Sequence, residues 1–156
     1  MAKVKIKKRK ASNIAYIEHK GAYHEIPYDK YYEKLYSWAK ENKARPGFKQ
    51  FAIYPNDPKV TPEKELLTQI AISIGKMAEP KGDIKVKALP ETEVAVIKHN
   101  APAEEYNNTY AELLKWVEEN NYEVSDNPIE MYTKKPKVKQ GKTIIYSEIQ
   151  FPVEKK

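Results

Sequence analysis

The chain has 156 residues, of which 40% are hydrophobic and 11% aromatic, and its formal net charge is +6. This composition supports a packed core and excludes a disordered chain, while the absence of cysteine excludes disulfides and thiolate metal sites. No stretch reaches the roughly 18 apolar residues of a membrane span, and no apolar segment follows the basic start, so we expect a cytoplasmic protein.

In chain order, the first half predicts strand, helix, strand, strand. The segments "VKIK" and "IAYIEH" alternate as extended chain, and residues 26–42 then repeat apolar side chains every three to four positions, which is typical of a helix. The strands "FKQFAIY" and "LLTQIAISI" follow, separated by a proline-rich loop. After the turn-rich "EPKGD", the second half predicts the same order, with its helix in residues 103–121 and its last strand in "TIIYSEIQFPV", residues 143–153.

The two halves also resemble each other in sequence. "NIAYIEHKGA" aligns with "EVAVIKHNAP" at an offset of 80, "YEKLYSWAKEN" with "YAELLKWVEEN" at 78, and "QIAISI" with "EIQFPV" at 79. We therefore predict a single domain, residues 3–153, built from module one (3–76), a linker (77–82) and module two (83–153). The predicted fold is α+β: two pseudo-symmetric strand–helix–strand–strand (SHS2) modules form an antiparallel sheet, with helices on one face and a ligand cleft on the other.

Strand alternation divides the predicted sheet into two faces. The helices are expected to cover an apolar face, formed by Ile70, Ile72, Ile74, Ile149, Phe151 and Val153 together with Phe51, Ile53, Ile129 and Met131. The opposite face is expected to hold Tyr54, Tyr132, Tyr146, Glu148, Gln150, Gln69 and Ala71. This second face is either a solvated surface or the wall of a pocket. A carboxylate among tyrosine rings suits a cationic aromatic ligand.

Several segments together resemble a known family. They are "IEHKGAYHEI", "FAIYPNDPKVTPEKELLTQIAISI", "LLKWVEENNYEVSDNPIEMY" and "YSEIQFPV". The pattern is similar to the GyrI-like small-molecule-binding family, which includes the effector-binding domain of multidrug-sensing transcription activators such as BmrR. The resemblance implies that Glu148 lies at the floor of a ligand cleft, with Tyr54, Tyr132, Tyr146 and either Trp116 or Tyr110 around it. Gln69 is the repeat partner of Glu148, so one half of the cleft would be charged and the other neutral.

The resemblance leaves three functions open. The chain has no helix-turn-helix before residue 3, so we expect a stand-alone protein that senses or sequesters an amphipathic or cationic aromatic compound. The first alternative is a hydrolase of small strained compounds, with Glu148 as the catalytic carboxylate and a cleft tyrosine as proton donor. The second is a protein-interaction module of the gyrase-inhibitor type, whose partner is a topoisomerase or a regulator protein.

The remaining features carry weaker signals. His19 and His99 occupy matched positions near His24, but their spacing is not that of a metal site, so we expect no metal and no cofactor. The basic runs "KVKIKKRK" and "KKPKVKQGK" are interpreted as an edge strand and a solvated hairpin loop. They would form a phosphate-attracting patch only if the fold brought them together. We therefore expect neither a nucleic acid nor a membrane as partner, and a monomer or weak homodimer.

Overall fold

The computed structural model describes residues 3–156. The described residues form nine strands and two α-helices, so the predicted α+β class with antiparallel strands is confirmed. The helices are α1 (Tyr28–Glu41) and α2 (Tyr106–Glu119). The strands are β1 (Lys5–Arg9), β2 (Ser12–Lys20), β3 (Pro46–Ile53), β4 (Leu67–Ile74), β5 (Ile84–Leu89), β6 (Thr92–Pro102), β7 (Tyr122–Val124), β8 (Ile129–Lys139) and β9 (Lys142–Lys155). Neither helix is long and apolar enough to cross a membrane.

The chain divides into two compact units. Lys10–Glu91 form the N-terminal unit, whose strands pair in the order β3-β4-β2-β5. Thr92–Lys156 together with β1 form the C-terminal unit, whose strands pair in the order β1-β6-β9-β8, with β7 on the end of β9. The units therefore differ from the modules predicted in chain order, because β1 pairs with β6 and β5 pairs with β2. The domain bounds 3–153 and the linker stay predictions.

Each unit packs one helix on one face of its strands. In the C-terminal unit, Leu113 and Val117 of α2 are buried against Ile97, Ile149 and Phe151 in one hydrophobic cluster. In the N-terminal unit, α1 buries four side chains along one face of the helix, namely Tyr32, Leu35, Trp38 and Ala39. The apolar stripes that predicted the helices thus become the faces that pack on the sheet, as amphipathic helices require.

The faces predicted for β3 and β8 are wrong. Glu130 lies opposite Ile149, and Tyr132 lies opposite Ser147, so Glu130 and Tyr132 face α2. Ile129 and Met131 therefore lie on the other face, where Glu148 lies opposite Met131. In β3, likewise, Phe51 and Ile53 lie opposite Ala71 and Gln69, away from the face of Ile70 and Ile72. Tyr54 hydrogen-bonds α1 instead, through the hydroxyl of Tyr28 at 3.4 Å.

The second basic run forms an exposed hairpin, as expected, but the hairpin consists of paired strands instead of a loop. Residues 133–143 continue β8 and β9 as a two-stranded hairpin, in which Val138 lies opposite Thr143 and Lys139 opposite Lys142. The turn is Gln140–Gly141, with φ of 50° and 76°. Two consecutive residues with positive φ match the tight turn that suits the twist of antiparallel strands, and glycine accepts this conformation without strain.

Candidate functional site

The structure brings Glu148 and Tyr146 together on one face of β9, as predicted. Glu148 lies between Lys98 of β6 and Met131 of β8, and its side chain is 17% exposed. Lys7 of β1 forms an ion pair with its carboxylate, and the Gln150 amide lies 3.4 Å from it. The Nζ of Lys134 lies 4.9 Å from the centre of the Tyr146 ring. Lysines of this chain thus already contact both the carboxylate and the ring that were predicted to receive a cation.

A second carboxylate lies on the opposite face, beneath α2. Glu130 of β8 is only 7% exposed. Its Oε2 accepts a hydrogen bond of 2.6 Å from the Tyr110 hydroxyl, a short distance typical of a charge-assisted bond, and its Oε1 lies 3.5 Å from the Tyr132 hydroxyl. Tyr110 and Tyr132 are both half-buried, so the group reaches the surface of the unit. We call Glu130, Tyr110 and Tyr132 the Glu130 cluster.

Local sequence explains the Glu130 cluster. The alternation of β8 sends Glu130 and Tyr132 to the same side, and the helical period places Tyr106 and Tyr110 one turn apart on α2. Tyr110 also packs edge-on against Phe151 of β9, with ring centres 5.8 Å apart. The carboxylate is therefore held between a strand and a helix whose positions the hydrophobic core fixes.

A polar group extends the same face along α2. Tyr106 stacks on the His99 ring with centres 3.9 Å apart, and its hydroxyl lies 3.0 Å from Ser147 Oγ. The His99 Nδ1 lies 2.8 Å from Thr109 Oγ1 and its Nε2 lies 3.2 Å from the Pro102 carbonyl, so both ring nitrogens have partners. Burial lowers the pKa of His99 below its ordinary value, and the backbone carbonyls oppose this in part. In the described residues, no group of three or more His, Asp or Glu side chains is arranged to hold a metal.

The other predicted ligand residues lie either on the α2 side of the C-terminal unit or in the N-terminal unit. Tyr110 and Trp116 lie on α2, and Trp116 packs against the core cluster and stacks on Tyr122 at 6.0 Å. Tyr132 lies in the Glu130 cluster. Tyr54 and Gln69 belong to the N-terminal unit, where Tyr54 is buried beside the Tyr23 ring at 5.2 Å. Gln69 shares the face of Glu18, and its Oε1 accepts a hydrogen bond of 2.8 Å from Lys87.

Sequence reasoning missed Glu130. Its neighbours Ile129 and Met131 were expected beneath the helix because they are apolar. Since adjacent residues of a strand face opposite sides, Glu130 was expected on the solvent side. The available signal was the pairing with β9: Ile149 belongs to the apolar face, and any residue opposite it must share that face. A glutamate in that position is buried, and therefore needs hydrogen-bond donors.

A family model for the GyrI-like small-molecule-binding domain matches residues 2–154. The chain belongs to this family. No curated protein matches the chain. The family match agrees with the fold, in which a buried carboxylate and several tyrosines lie between a helix and a sheet in one unit.

Solved structures show the same fold at low identity. EcmrR in its DNA complex is 22% identical with a TM-score of 0.77; the match covers 99% of this chain but only 58% of that one, so this chain spans little more than half of EcmrR. The isolated EcmrR C-terminal domain is 24% identical, with a TM-score of 0.73 and coverage of 100% and 99%. The hydrolase encoded by lin2189 of Listeria innocua is 16% identical, with a TM-score of 0.70 and coverage of 97% and 92%. SAV2435 bound to tetraphenylphosphonium is 10% identical, with a TM-score of 0.52 and coverage of 97% and 94%.

Proposed function

We propose that this small-molecule-binding domain takes amphipathic compounds that combine aromatic rings with a positive charge, and that it senses or sequesters them. The observation that supports this is the Glu130 cluster: a carboxylate 7% exposed, hydrogen-bonded to tyrosine hydroxyls. A buried carboxylate attracts a cation strongly because the local dielectric is low, and tyrosine rings attract it through their faces. Tetraphenylphosphonium, which SAV2435 binds, is a ligand of this class.

This proposal moves the charged residue of the site from Glu148 to Glu130. The Glu148 carboxylate is paired with Lys7 and lies opposite Lys98, so a cation entering there would compete with Lys7 and be repelled by Lys98. The Tyr110 hydroxyl donates a hydrogen bond to Glu130 and the Tyr132 hydroxyl lies 3.5 Å from it, and a phenol orients a carboxylate without itself carrying a compensating charge. The role of Glu148 at a ligand floor, expected from the family resemblance, stays the alternative.

A thermal-stabilisation experiment separates the two carboxylates. Wild type, Glu130→Gln and Glu148→Gln are heated with a panel of cationic aromatic dyes and neutral analogues of the same shape. A ligand present at about 100 times its dissociation constant stabilises the folded state by about 2.7 kcal/mol, which is a visible shift in Tm. We expect Glu130→Gln to lose the advantage of the cationic dyes and Glu148→Gln to keep it. The reverse pattern would return the site to Glu148, and equal shifts for cationic and neutral dyes in wild type would remove the charge argument.

A hydrolase is the second candidate, and the Tyr110–Glu130 contact is the observation that favours it. A phenol donating to a carboxylate at 2.6 Å is a pair that can pass a proton and activate water. The lin2189 protein is itself described as a hydrolase. Incubation with small strained esters and cyclopropane compounds, followed by mass spectrometry, tests turnover. A true catalytic pair loses turnover in both Glu130→Gln and Tyr110→Phe, whereas a binding site shows no turnover in wild type.

A further inference from the structure

The hairpin at residues 133–143 is an exposed basic arm. All eleven residues are solvent-exposed, and they include five lysines and no acidic residue. Lys139 and Lys142 lie directly opposite each other beside the turn, a pairing of like charges that weakens a hairpin. Within the described part of the chain, none of the five lysines forms an ion pair. The arm thus concentrates positive charge that nothing in its own unit compensates.

The pairing register gathers this charge on one face. Lys137 lies opposite Ile144 and Lys134 opposite Tyr146, so both lysines share the face of Lys139 and Lys142. Along β9 this face continues to Glu148, beside Lys98 of β6 and within reach of Lys7 of β1. We call these six lysines the basic face: Lys7, Lys98, Lys134, Lys137, Lys139 and Lys142. From residue 142 to residue 148 it extends about 20 Å, at roughly 3.3 Å per residue.

The two basic runs of the sequence therefore meet on one surface of the C-terminal unit. Between residues 142 and 148 of β9, the acidic residue on this face is Glu148, which Lys7 already pairs. In the N-terminal unit, the corresponding face has Glu18 bonded to Lys85 at 2.6 Å, with Gln69 bonded to Lys87. Both of these lysines thus have side-chain partners within their own unit, whereas the described lysines of the arm form no ion pair.

We propose that the basic face binds duplex DNA through its phosphates, without sequence specificity. The exposed arm has the shape for this role, since the major groove of B-DNA accepts a two-stranded β-ribbon, whereas that of duplex RNA is too narrow. The chemistry also fits: lysine is a point charge that neutralises phosphates, and the arm has no arginine for the bidentate reading of guanine. From the sequence, such a patch was expected only if the fold brought the two basic runs together, and otherwise no nucleic-acid partner was expected.

Fluorescence anisotropy with a labelled duplex of about 20 base pairs tests the proposal, at several salt concentrations between about 50 and 200 mM. The ribbon variant changes three lysines of the arm, Lys137→Gln, Lys139→Gln and Lys142→Gln. The matched control changes three exposed lysines of the N-terminal unit, Lys59→Gln, Lys64→Gln and Lys76→Gln, and alters the net charge equally. Wild type should bind with affinity that falls steeply with salt. The ribbon variant should bind at least about tenfold more weakly at low salt, with the slope of log affinity against log salt reduced by about 2.7.

Glu148→Gln tests the proposal through an expected gain in affinity for the duplex, instead of a loss. Removing the Glu148 carboxylate and releasing Lys7 should tighten duplex binding, whereas a structural role for the ion pair would weaken it. The proposal is overturned if wild type fails to bind the duplex at low salt, or if the control variant loses as much affinity as the ribbon variant. Stronger binding to phosphatidylserine vesicles or to poly-glutamate, dependent on the same three lysines, would assign the face to a membrane or to an acidic protein instead.

Discussion

The two compact units share a strand–helix–strand–strand order, β2-α1-β3-β4 and β6-α2-β8-β9, but differ in chemistry at aligned positions. In the C-terminal unit, β8 presents Glu130 to the Tyr110 hydroxyl. In the N-terminal unit, the aligned residue of β3 is Ala52, which is fully buried, and the aligned Tyr32 donates a hydrogen bond of 2.7 Å to the Phe51 carbonyl. The same strand position thus holds a buried glutamate side chain in one unit and a buried alanine in the other. The proposed cation-selecting carboxylate therefore has no counterpart at the aligned position of the N-terminal unit.

The largest effect on stability is expected from placing a carboxylate at position 52, where the N-terminal unit has alanine and the aligned residue of the C-terminal unit is Glu130. Ala52→Glu puts a carboxylate in a site whose aligned phenol already bonds the backbone, and an uncompensated buried charge costs roughly 3–5 kcal/mol of unfolding free energy. Urea denaturation measures this cost. Ala52→Gln is the control, because it adds the same bulk without charge and should cost about 1–3 kcal/mol. Equal losses for the two variants would show that bulk, not charge, distinguishes the units.

The aligned tyrosines give the next largest contrast. Tyr110→Phe removes a hydrogen bond to a carboxylate and should cost about 1.5–3 kcal/mol, while Tyr32→Phe removes one to a neutral carbonyl and should cost about 1 kcal/mol. The free energy of unfolding of each variant, from chemical denaturation, provides the comparison. A Tyr32→Phe cost as large as that of Tyr110→Phe would contradict the view that Glu130 is charged in the folded state.

The smallest effect concerns pH. Burial lowers the pKa of His99 in the folded state, so the unfolded chain binds the proton more readily. Stability from this residue is complete above the unfolded pKa of about 6.5 and falls as the pH drops from there towards the folded pKa. Thermal unfolding between about pH 7.5 and pH 5 should show this decline, and His99→Gln should flatten it. A wild-type profile that stays flat over this range would show that His99 protonates equally well in both states.

Local pattern was sufficient for the helices and for most strands. The apolar spacing of α1 and α2 predicted both helices, because burying such a stripe is what stabilises a helix in a protein. The alternation of β9 correctly placed Ile149 and Phe151 beneath α2 and Glu148 with Tyr146 on the other face. In β9 one face is apolar and the other polar, so period and polarity agree.

The alternation of polar and apolar residues did not predict the correct faces where both faces of a strand are buried. In β3, Phe51, Ala52 and Ile53 are all at most 5% exposed, so polarity does not reveal which side meets the helix. Because of the same ambiguity in β8, Tyr132 was predicted on the wrong face and Glu130 was not predicted to be buried beneath the helix. β1 was predicted in the first module but pairs with β6, and β5 was predicted in the second module but pairs with β2. Local sequence does not encode such pairing between distant segments. The second basic run was interpreted as a hairpin loop, and its extension as paired strands was not predicted because lysine and proline are poor strand formers.

The central claim is that Glu130 provides the charge that selects a cationic ligand. Tetraphenylphosphonium and tetraphenylborate have nearly the same shape and opposite charge, so the ratio of their dissociation constants isolates the charge term. Calorimetry in sodium buffer would give this ratio for wild type, Glu130→Gln and Glu148→Gln. We predict that wild type prefers the cation, that Glu130→Gln reduces the preference by about 10- to 100-fold, and that Glu148→Gln leaves it unchanged. A preference that survives in Glu130→Gln would contradict the account.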